Sequence, residues 1–269
     1  QWSSSAASDV YKRQTLASAL LANNVHLVGR SFKYHRPRGI MTSGSEEPNA
    51  IVQINPGTNR TEPNVRATEV EIYQGLEASS QNCWPSVEFD IGGINNFLSP
   101  FFPAGFYYKT FMWPASFWEK YEFFIRHSAG LGKSPTSSDP DIYDHRNIHC
   151  DVLVVGAGIS GILAAKNAAK NNFKTLLVDE KNELGGSTVY ENNEFNKINN
   201  KTPSEWLKKE IEELKNIKNL EIKTRTSVAA YHQYNYLLAR ENLTDHLEAK
   251  DKTNKIRQRL LKIRAKKVI

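Results

Sequence analysis

The clearest hydrophobic pattern lies between residues 150 and 180. A block at 151–155 predicts a buried strand, an alanine-rich run at 160–170 predicts a helix, and a second apolar block at 175–178 predicts another buried strand. This order and spacing are typical of a right-handed parallel crossover, whose helix packs on the sheet that contains both strands. The pattern therefore predicts an α/β domain with a parallel sheet.

The pattern of this domain continues to residue 269. Its further predicted elements are a helix at 202–217 capped by Ser204, a strand at 220–223 and an antiparallel meander at 227–238 and 243–248. The last residues, 264–269, are basic residues that lead into a predicted strand, and the sequence ends within it. Because a strand without neighbours leaves backbone groups unpaired, we expect the sequence to be an internal piece of a longer polypeptide, with this domain truncated at its carboxyl end.

A small α+β module and an aromatic-rich region precede this domain. The predicted elements of the module are a helix at 15–24 and strands at 50–54 and 65–72. The stretch at 84–124 is dense in aromatic residues and contains several prolines. Two interpretations of it stay open, because it either packs against another domain or subunit or forms a local core.

Loop-forming residues and changes in local composition indicate the domain organisation. Residues 130–144 are rich in Gly, Pro and Ser and form the best domain boundary. Residues 1–14 are polar, rich in Ser and Ala and without an apolar period, so they are excluded from the fold. The predicted parts are a non-native or disordered leader at 1–14, the module at 15–82, an aromatic-rich connecting region and linker at 83–148, and the α/β domain at 149–269.

Composition and charge mainly exclude classes of protein. The 269 residues are 39% hydrophobic and 24% charged, which is typical of a globular chain. The net charge of +6 arises largely after Lys201, and a solvated helical face explains it better than a nucleic-acid groove, since no nucleic-acid motif accompanies it. Cys83 and Cys150 form no Cys-x-x-Cys pair, which favours a reducing cytoplasm. Prolines interrupt the most apolar stretch, 97–117, so no membrane span is predicted.

The sequence Gly-Ala-Gly-Ile-Ser-Gly at 156–161 follows the first apolar strand directly and opens the helix. Gly156 permits a tight turn, Gly158 lets the backbone approach a pyrophosphate, and Gly161 lets the helix pack close to the strand. The free N–H groups at the start of the helix, where Ser160 stands, favour the phosphate charge. In this context the motif predicts dinucleotide binding rather than glycines that serve packing alone.

Two acids and a second glycine pair complete the predicted cofactor site. Asp179 and Glu180 end the second strand a little over twenty residues after the first glycine, where an acid accepts hydrogen bonds from the adenosine ribose. One residue of strand register decides between them, and Asp179 is the first choice. An acid there favours NAD or FAD over NADP. The turn Gly185-Gly186 is similar to that of two-dinucleotide flavoproteins, so a Rossmann-like FAD/NAD(P)-binding domain is predicted.

Other polar clusters predict less. His35 lies in a basic loop that could bind an anion, although a solvent-facing basic turn is the better interpretation. His145, His149 and Cys150 lie close together, but no further ligand follows at metal spacing, so they are interpreted as linker and strand entry. We therefore predict no metal site and nominate no catalytic residue.

Several stretches resemble the amino-terminal region of the alpha subunit of heterotetrameric sarcosine oxidase. They are residues 15–23, Gly-Arg-Ser-Phe-Lys-Tyr-His-Arg-Pro-Arg-Gly-Ile at 29–40, Gly-Ser-Glu-Glu-Pro-Asn-Ala at 44–50, 149–158 and 257–260. The resemblance covers essentially everything after Gln14. It implies that the module at 15–82 is ferredoxin-like, but no cysteine lies between Gly29 and Ala50, so no iron–sulfur cluster is expected.

The resemblance also implies cofactors, partners and a reaction. It implies NAD in the glycine-rich fold, lined by Gly156, Gly158, Gly161 and Asp179, with FAD as the alternative and FMN at a subunit interface. The implied partners are the beta, gamma and delta subunits of a heterotetramer, with no nucleic acid and no membrane. The implied reaction is oxidative demethylation of sarcosine to glycine, with hydrogen peroxide formed and the one-carbon unit passed to tetrahydrofolate. The catalytic centre is not expected on this chain.

Two alternative functions stay open. An alpha subunit of a related amino-acid dehydrogenase, of the proline or hydrogen cyanide synthase type, shares the ferredoxin-like start and the nucleotide domain but more often keeps cluster-binding cysteines. A non-catalytic assembly subunit would have lost its cofactor. The intact glycines and Asp179 argue against that second alternative.

Overall fold

A computed structural model describes residues 2–3, 14–55, 58–101, 105, 113–190, 197–252 and 254–269. The chain divides into two compact units, which we call unit 1 (Gln1–Pro140) and unit 2 (Asp141–Ile269). The division falls within the loop at 130–144 that the sequence indicates as a boundary. The finer four-part division stays a prediction.

Unit 1 contains a helix and short strands. They are β1 (Trp2–Ser3), α1 (Leu16–Ala22), β2 (Gly29–Arg30), β3 (Pro37–Arg38), β4 (Ile51–Ile54), β5 (Glu62–Arg66) and β6 (Glu77–Ser80). In the described residues, β1, β6, β4 and β5 pair in that order as an antiparallel sheet, and β2 pairs with β3. Most of the predicted leader, 1 and 4–13, lies outside the described residues, although Trp2–Ser3 pairs with β6.

The helix α1 packs its apolar face on this sheet. Leu16, Ala17 and Leu20 are buried in one cluster with sheet residues such as Val52 and Ala78. Thr15 caps the helix, because its hydroxyl accepts the N–H of Ser18 and the Ser18 hydroxyl accepts the N–H of Thr15. The predicted helix at 15–24 and the predicted strand at 50–54 are therefore confirmed, with small changes at their ends.

One predicted strand of unit 1 is wrong in its bounds. The alternation at 65–72 continues past the sheet, since β5 ends at Arg66. Beyond it the backbone turns to the helix, where the carbonyls of Ala67 and Val70 accept the first N–H groups of α1. Residues 25–28, for which the sequence predicts no element, are irregular and lead into β2 at Gly29.

The aromatic-rich region of unit 1 is mainly helical where it is described. It contains α2 (Ile94–Phe97), α3 (Trp118–Ala129) and single 3-10 turns at Ile91–Gly93, Ser99–Phe101 and Ala115–Phe117. Many of its large apolar side chains are exposed: Trp84, Phe89, Phe97, Phe101, Trp113 and Phe124. The local-core interpretation is therefore wrong for these side chains, and packing against another surface stays a prediction.

Unit 2 is an α/β structure. Its elements are β7 (Ile142–Val155), α4 (Ile159–Lys170), β8 (Thr175–Val178), α5 (Pro203–Lys215), β9 (Leu220–Lys223), β10 (Thr226–His232), β11 (Tyr236–Asn242), α6 (Ala249–Lys252) and β12 (Ile256–Val268). Its described strands form one sheet in the order β10-β11-β12-β7-β8-β9. The strands β12, β7, β8 and β9 are parallel, and β10 and β11 form an antiparallel meander with β12.

Alternate residues of the parallel strands enter two different cores. Val152, Val154 and Leu177 pack against the apolar faces of α4 and α5. Leu153 and Leu176 point to the other face, where they pack against β11 and β12, including Leu237, Leu261 and Ile263. The period of two therefore buries both faces of the sheet, as expected for parallel strands between two layers.

Most predicted elements of unit 2 are confirmed, with corrections that have local causes. The crossover of β7, α4 and β8 and the strand β9 are as predicted. The cap of α5 is Thr202 rather than Ser204, because Pro203 occupies the first helical position and Thr202 and Glu205 form a capping box. The meander is antiparallel, but it turns at Tyr234 and Asn235, which have positive φ, so its second strand is β11.

Strand pairing over long sequence distances changes two further predictions. β7 begins at Ile142 rather than at 151, because β12 pairs with it in parallel along most of its length. The same pairing makes the premise of an unpaired strand at 264–269 wrong, since β12 lies between β7 and β11. Within the described part of the chain, no helix combines the length and the apolar character needed to cross a bilayer.

Candidate dinucleotide site

The glycine-rich turn joins the carboxyl end of β7 to α4, at the edge of the sheet where β8 and β9 also end. The N–H of Gly156 donates to the carbonyl of Val178 at 2.8 Å, which ties the turn to β8. Gly156 has φ +96°, in the left-handed region that favours glycine. The turn is therefore fixed at the edge where open α/β sheets bind ligands.

The glycines of the motif differ in what surrounds them. A Cβ at Gly156 or Gly158 would meet no heavy atom within 4 Å, so the space above the turn is open. A Cβ at Gly161 would collide with the carbonyl oxygen of Gly156. Gly161 therefore has the packing role that the sequence predicts, whereas the open cradle at Gly156 and Gly158 fits a ligand that approaches the backbone closely.

The amino terminus of α4 has no capping side chain of its own. Gly158 is the N-cap, makes no side-chain capping bond, and no acidic residue stands in the first turn. The first intrahelical bond runs from the N–H of Ile162 to the carbonyl of Gly158 at 2.9 Å. The preceding N–H groups, including that of the exposed Ser160, have no partner within the helix and are suited to an anion.

Asp179 lies beside the glycine turn. Its Oδ2 accepts the N–H of Ala157 at 2.5 Å, and its Oδ1 accepts the N–H of Lys181 at 2.8 Å. Its own N–H donates to the carbonyl of Lys223, and its carbonyl accepts the N–H of Thr226. These bonds from the turn, β9 and β10 hold a half-buried carboxylate against the glycine motif. Glu180, the other predicted acid, is exposed, so the geometry favours the first choice.

The second glycine pair packs on the first. The N–H of Gly185 donates to the carbonyl of Ala157 at 2.8 Å, and a Cβ at Gly186 would lie 3.2 Å from the Cα of Gly158. Gly185 has φ +124°, and a Cβ there would lie 2.5 Å from Leu207 Cδ2 of α5. All the predicted site residues of this domain therefore converge at one edge of the sheet.

Two residues at this edge were missed by the sequence reasoning. The hydroxyl of Thr188, in the turn after the second glycine pair, is buried and has no hydrogen-bond partner among the described residues. Lys181 Nζ stands over the ring of Tyr190, 5.4 Å from its centroid. The position of Lys181, two residues after the predicted ribose acid, was the available sequence signal. A buried hydroxyl without a partner among the described residues is left for water or a ligand to satisfy.

The structure places the weaker candidates in different environments. His35 is buried, and its Nδ1 lies 2.6 Å from Asp90 Oδ2, so the solvent-facing interpretation is wrong. The loop folds back onto residues 84–92, which a local pattern cannot indicate. His145 and His149 are exposed on β7, whereas Cys150 is buried, and burial raises the pKa of its thiol to about 11. Among the described residues, no group of three His, Cys, Asp or Glu side chains could hold a metal ion.

Comparison with known proteins gives two family matches and a set of similar relatives. Residues 151–261 match the family model described as FAD dependent oxidoreductase, and residues 6–83 match the model described as 2Fe-2S iron-sulfur cluster binding domain. The sarcosine oxidase subunit alpha of Rhizobium meliloti is 50% identical over 87% of this chain, and that of Corynebacterium sp. strain U-96 is 31% identical over 96%. The chain is a homologue of sarcosine oxidase alpha subunits. It spans 23% and 22% of the lengths of these two relatives.

A solved structure shares the fold of this chain. The L-proline dehydrogenase from P. horikoshii aligns with 96% of this chain and 37% of its own, with a TM-score of 0.53 and 17% identity. At this level of identity the similarity concerns the fold alone, and the two family models cover residues 6–83 and 151–261 of it. Together the family matches support a flavin-linked oxidoreductase subunit.

Proposed function

We propose that this chain is the dinucleotide-binding part of the alpha subunit of a flavoprotein that oxidises sarcosine. The observation that supports it most directly is the open turn at Gly156 and Gly158, with the Asp179 carboxylate 2.5 Å from the N–H of Ala157. The homology to sarcosine oxidase alpha subunits supplies the class of reaction.

In this proposal the site recognises the adenosine diphosphate half of the ligand. The N–H groups at the start of α4, including that of Ser160, bind the pyrophosphate above Gly156 and Gly158. The Asp179 carboxylate accepts hydrogen bonds from the ribose hydroxyls, with Glu180 as the alternative acid. Gly161 keeps α4 close to the turn. Gly185 and Gly186 hold the second turn against the first.

We propose NAD as the dinucleotide, with FAD as the alternative. NAD is what the family resemblance implies, whereas the family model for residues 151–261 is described by FAD. Asp179 suits both, because each carries an adenosine ribose without a 2′-phosphate. Either dinucleotide would supply hydride transfer when bound.

The complete enzyme is also part of the proposal. It contains beta, gamma and delta subunits with FMN at a subunit interface, and it converts sarcosine to glycine with formation of hydrogen peroxide and transfer of the one-carbon unit to tetrahydrofolate. The catalytic centre lies outside this chain, and the complex is cytoplasmic, without nucleic-acid or membrane partners. The names of the relatives, which are alpha subunits, support a multi-subunit enzyme. The lack of cysteine at 29–50 disfavours the dehydrogenase alternative.

The test is release of bound nucleotide from the purified protein after denaturation, identified by mass spectrometry, for wild type, Gly158→Ala and Gly93→Ala. A methyl group at either glycine meets no atom within 4 Å, so both variants should fold. Gly158→Ala should lower dinucleotide occupancy about tenfold or more, because its methyl group fills the place of the pyrophosphate. Gly93→Ala is the control. Equal occupancy in all three proteins would contradict the proposal, and an empty wild-type protein would favour the assembly-subunit alternative.

A further inference from the structure

Unit 1 contains a fully buried carboxylate, that of Glu47, which is not part of the candidate dinucleotide site. Glu47 Oε2 accepts the N–H groups of Met41 at 2.8 Å and Thr42 at 2.6 Å, and also the hydroxyl of Thr42 at 3.3 Å. Its Oε1 accepts the N–H groups of Asn49 at 2.8 Å and Ala50 at 3.2 Å. The loop at 41–50 is therefore wrapped around one anion that the loop itself supplies.

The positions in this loop have the spacing of an iron–sulfur site. Plant-type ferredoxins hold a two-iron cluster with a C-x4-C-x2-C run and a fourth, more distant cysteine. Thr42, Glu47 and Ala50 stand at the same x4 and x2 spacing, within the residues that match the cluster-binding domain model. Thr68 is the distant member, because its buried hydroxyl donates to the carbonyl of Gly44 in the same loop at 2.7 Å.

The residues at these positions do not fit a cluster. None of Thr42, Glu47, Ala50 and Thr68 has a thiol, whereas iron–sulfur clusters are held by thiolates and receive hydrogen bonds at their sulfurs. The interior of the loop is instead filled by the carboxylate of Glu47. The backbone N–H groups of the loop point to that carboxylate as they would point to an anionic cluster.

We propose that the Glu47 carboxylate takes the place of the iron–sulfur cluster in this module, so that loop 41–50 and unit 1 are organised without iron. The module keeps the loop that surrounds an anion but replaces a bound cofactor with a side chain. Burial of a charged carboxylate is costly unless hydrogen bonds compensate it, and the N–H groups of Met41, Thr42, Asn49 and Ala50 provide that compensation.

The first experiment tests the organising role in the full chain. Glu47→Gln keeps the shape of the side chain but removes its charge and one acceptor, whereas Glu46→Gln changes an exposed neighbour and is the control. Amide hydrogen exchange should become at least tenfold faster at Met41, Thr42, Asn49 and Ala50 in Glu47→Gln, and should not change in Glu46→Gln. Unchanged protection of these amides in Glu47→Gln would overturn the proposal.

The second experiment tests whether positions 42, 47, 50 and 68 correspond to the ligand positions of an iron–sulfur cluster. The variant Thr42→Cys/Glu47→Cys/Ala50→Cys/Thr68→Cys and wild type are incubated anaerobically with ferric iron, sulfide and dithiothreitol, and iron content and visible absorption are measured. The control carries Glu46→Cys in place of Glu47→Cys, which keeps the number of thiols but breaks the spacing. We expect two irons per chain in the first variant and none in the control or wild type.

Two results of this reconstitution would overturn the proposal. One is stoichiometric iron and sulfide in wild type, which would mean that a cluster fits beside Glu47. The other is a folded four-cysteine variant that binds no more iron than the control, which would mean that the positions are misassigned. If the four-cysteine variant fails to fold, the exchange experiment on Glu47→Gln decides.

Discussion

Both units direct backbone N–H groups at a negative charge, but they obtain that charge differently. In unit 1 the loop at 41–50 encloses its own carboxylate, Glu47, and leaves it no exposed surface. In unit 2 the glycine turn contacts Asp179 at Ala157, while the space above Gly156 and Gly158 stays open. Donors that are satisfied within the chain stabilise structure, whereas donors that keep open space beside them are available to a ligand.

The largest expected effect is on stability, and it distinguishes the glycine that serves packing, Gly161, from the glycines that face the ligand. Gly161→Ala should destabilise unit 2 by about 3 kcal/mol, because its methyl group collides with the backbone of Gly156, which cannot move without breaking the bond to Val178. Chemical denaturation followed by circular dichroism measures this change. A loss below about 0.5 kcal/mol would mean that the turn is looser than described.

The second effect concerns the buried carboxylate of Glu47 in unit 1 and the pH dependence of its contribution to stability. Burial opposes ionisation of Glu47, but hydrogen bonds from the backbone of Thr42, Asn49, Met41 and Ala50 outweigh it, and the net effect lowers its pKa below the ordinary 4.5. A lowered folded pKa stabilises the protein above the unfolded pKa, and this contribution is lost as pH falls through the folded value.

Glu47→Gln should therefore cost about 2 kcal/mol at pH 7 and progressively less below about pH 4.5. Denaturant titrations from pH 7 to pH 3 on wild type and variant measure the difference. A difference that is constant over this range would show that the charge of Glu47 does not contribute. Glu46→Gln serves again as the exposed control.

The third effect is on dinucleotide affinity and tests the role of Asp179 in the candidate site of unit 2. Asp179→Asn keeps an acceptor for the Ala157 N–H but removes the charge, so dinucleotide affinity should fall about tenfold, or about 1.4 kcal/mol, with a smaller effect on stability. Glu180→Gln, at the exposed neighbouring position, should leave affinity within about twofold. Isothermal titration calorimetry measures both, and the reverse ranking would assign the ribose to Glu180.

The smallest effect uses the two cysteines as reporters of the two units. Cys150 is buried in unit 2 with a pKa of about 11, so it should react with a maleimide far more slowly at pH 7.5 than the half-buried Cys83 of unit 1. Added dinucleotide should slow the labelling of Cys150 further, because binding stabilises folded unit 2 against the opening that exposes this thiol. Equal slowing at both cysteines would contradict a site confined to unit 2.

The sequence predicted those features of the fold whose causes are local. The apolar blocks, the glycine motif and the acid at Asp179 lie within thirty residues of one another, and the crossover β7, α4 and β8 confirms their order. The cap of α5 was misplaced by two residues because the first-position preference of Pro203 was not weighed against the nearby serine.

The features that the sequence did not reveal depend on contacts between distant residues. β7 is extended by pairing with β12, more than a hundred residues later. His35 is buried by Asp90, and Thr68 reaches the loop of Glu47 from across the module. Glu47 is also missed because a single glutamate in a polar loop is read as exposed, and only the fold shows which N–H groups surround it.

The central claim is that a pyrophosphate binds at the start of α4. The most direct measurement is the change in backbone amide signals of isotope-labelled full chain when NAD or FAD is added. The account predicts saturable shifts of the amide signals of Ala157, Ile159, Ser160 and Gly161. The amide signals of Met41 and Ala50, in the loop at 41–50 of unit 1, should not change. Saturable dinucleotide binding that leaves the amides of Ile159, Ser160 and Gly161 unchanged would contradict it.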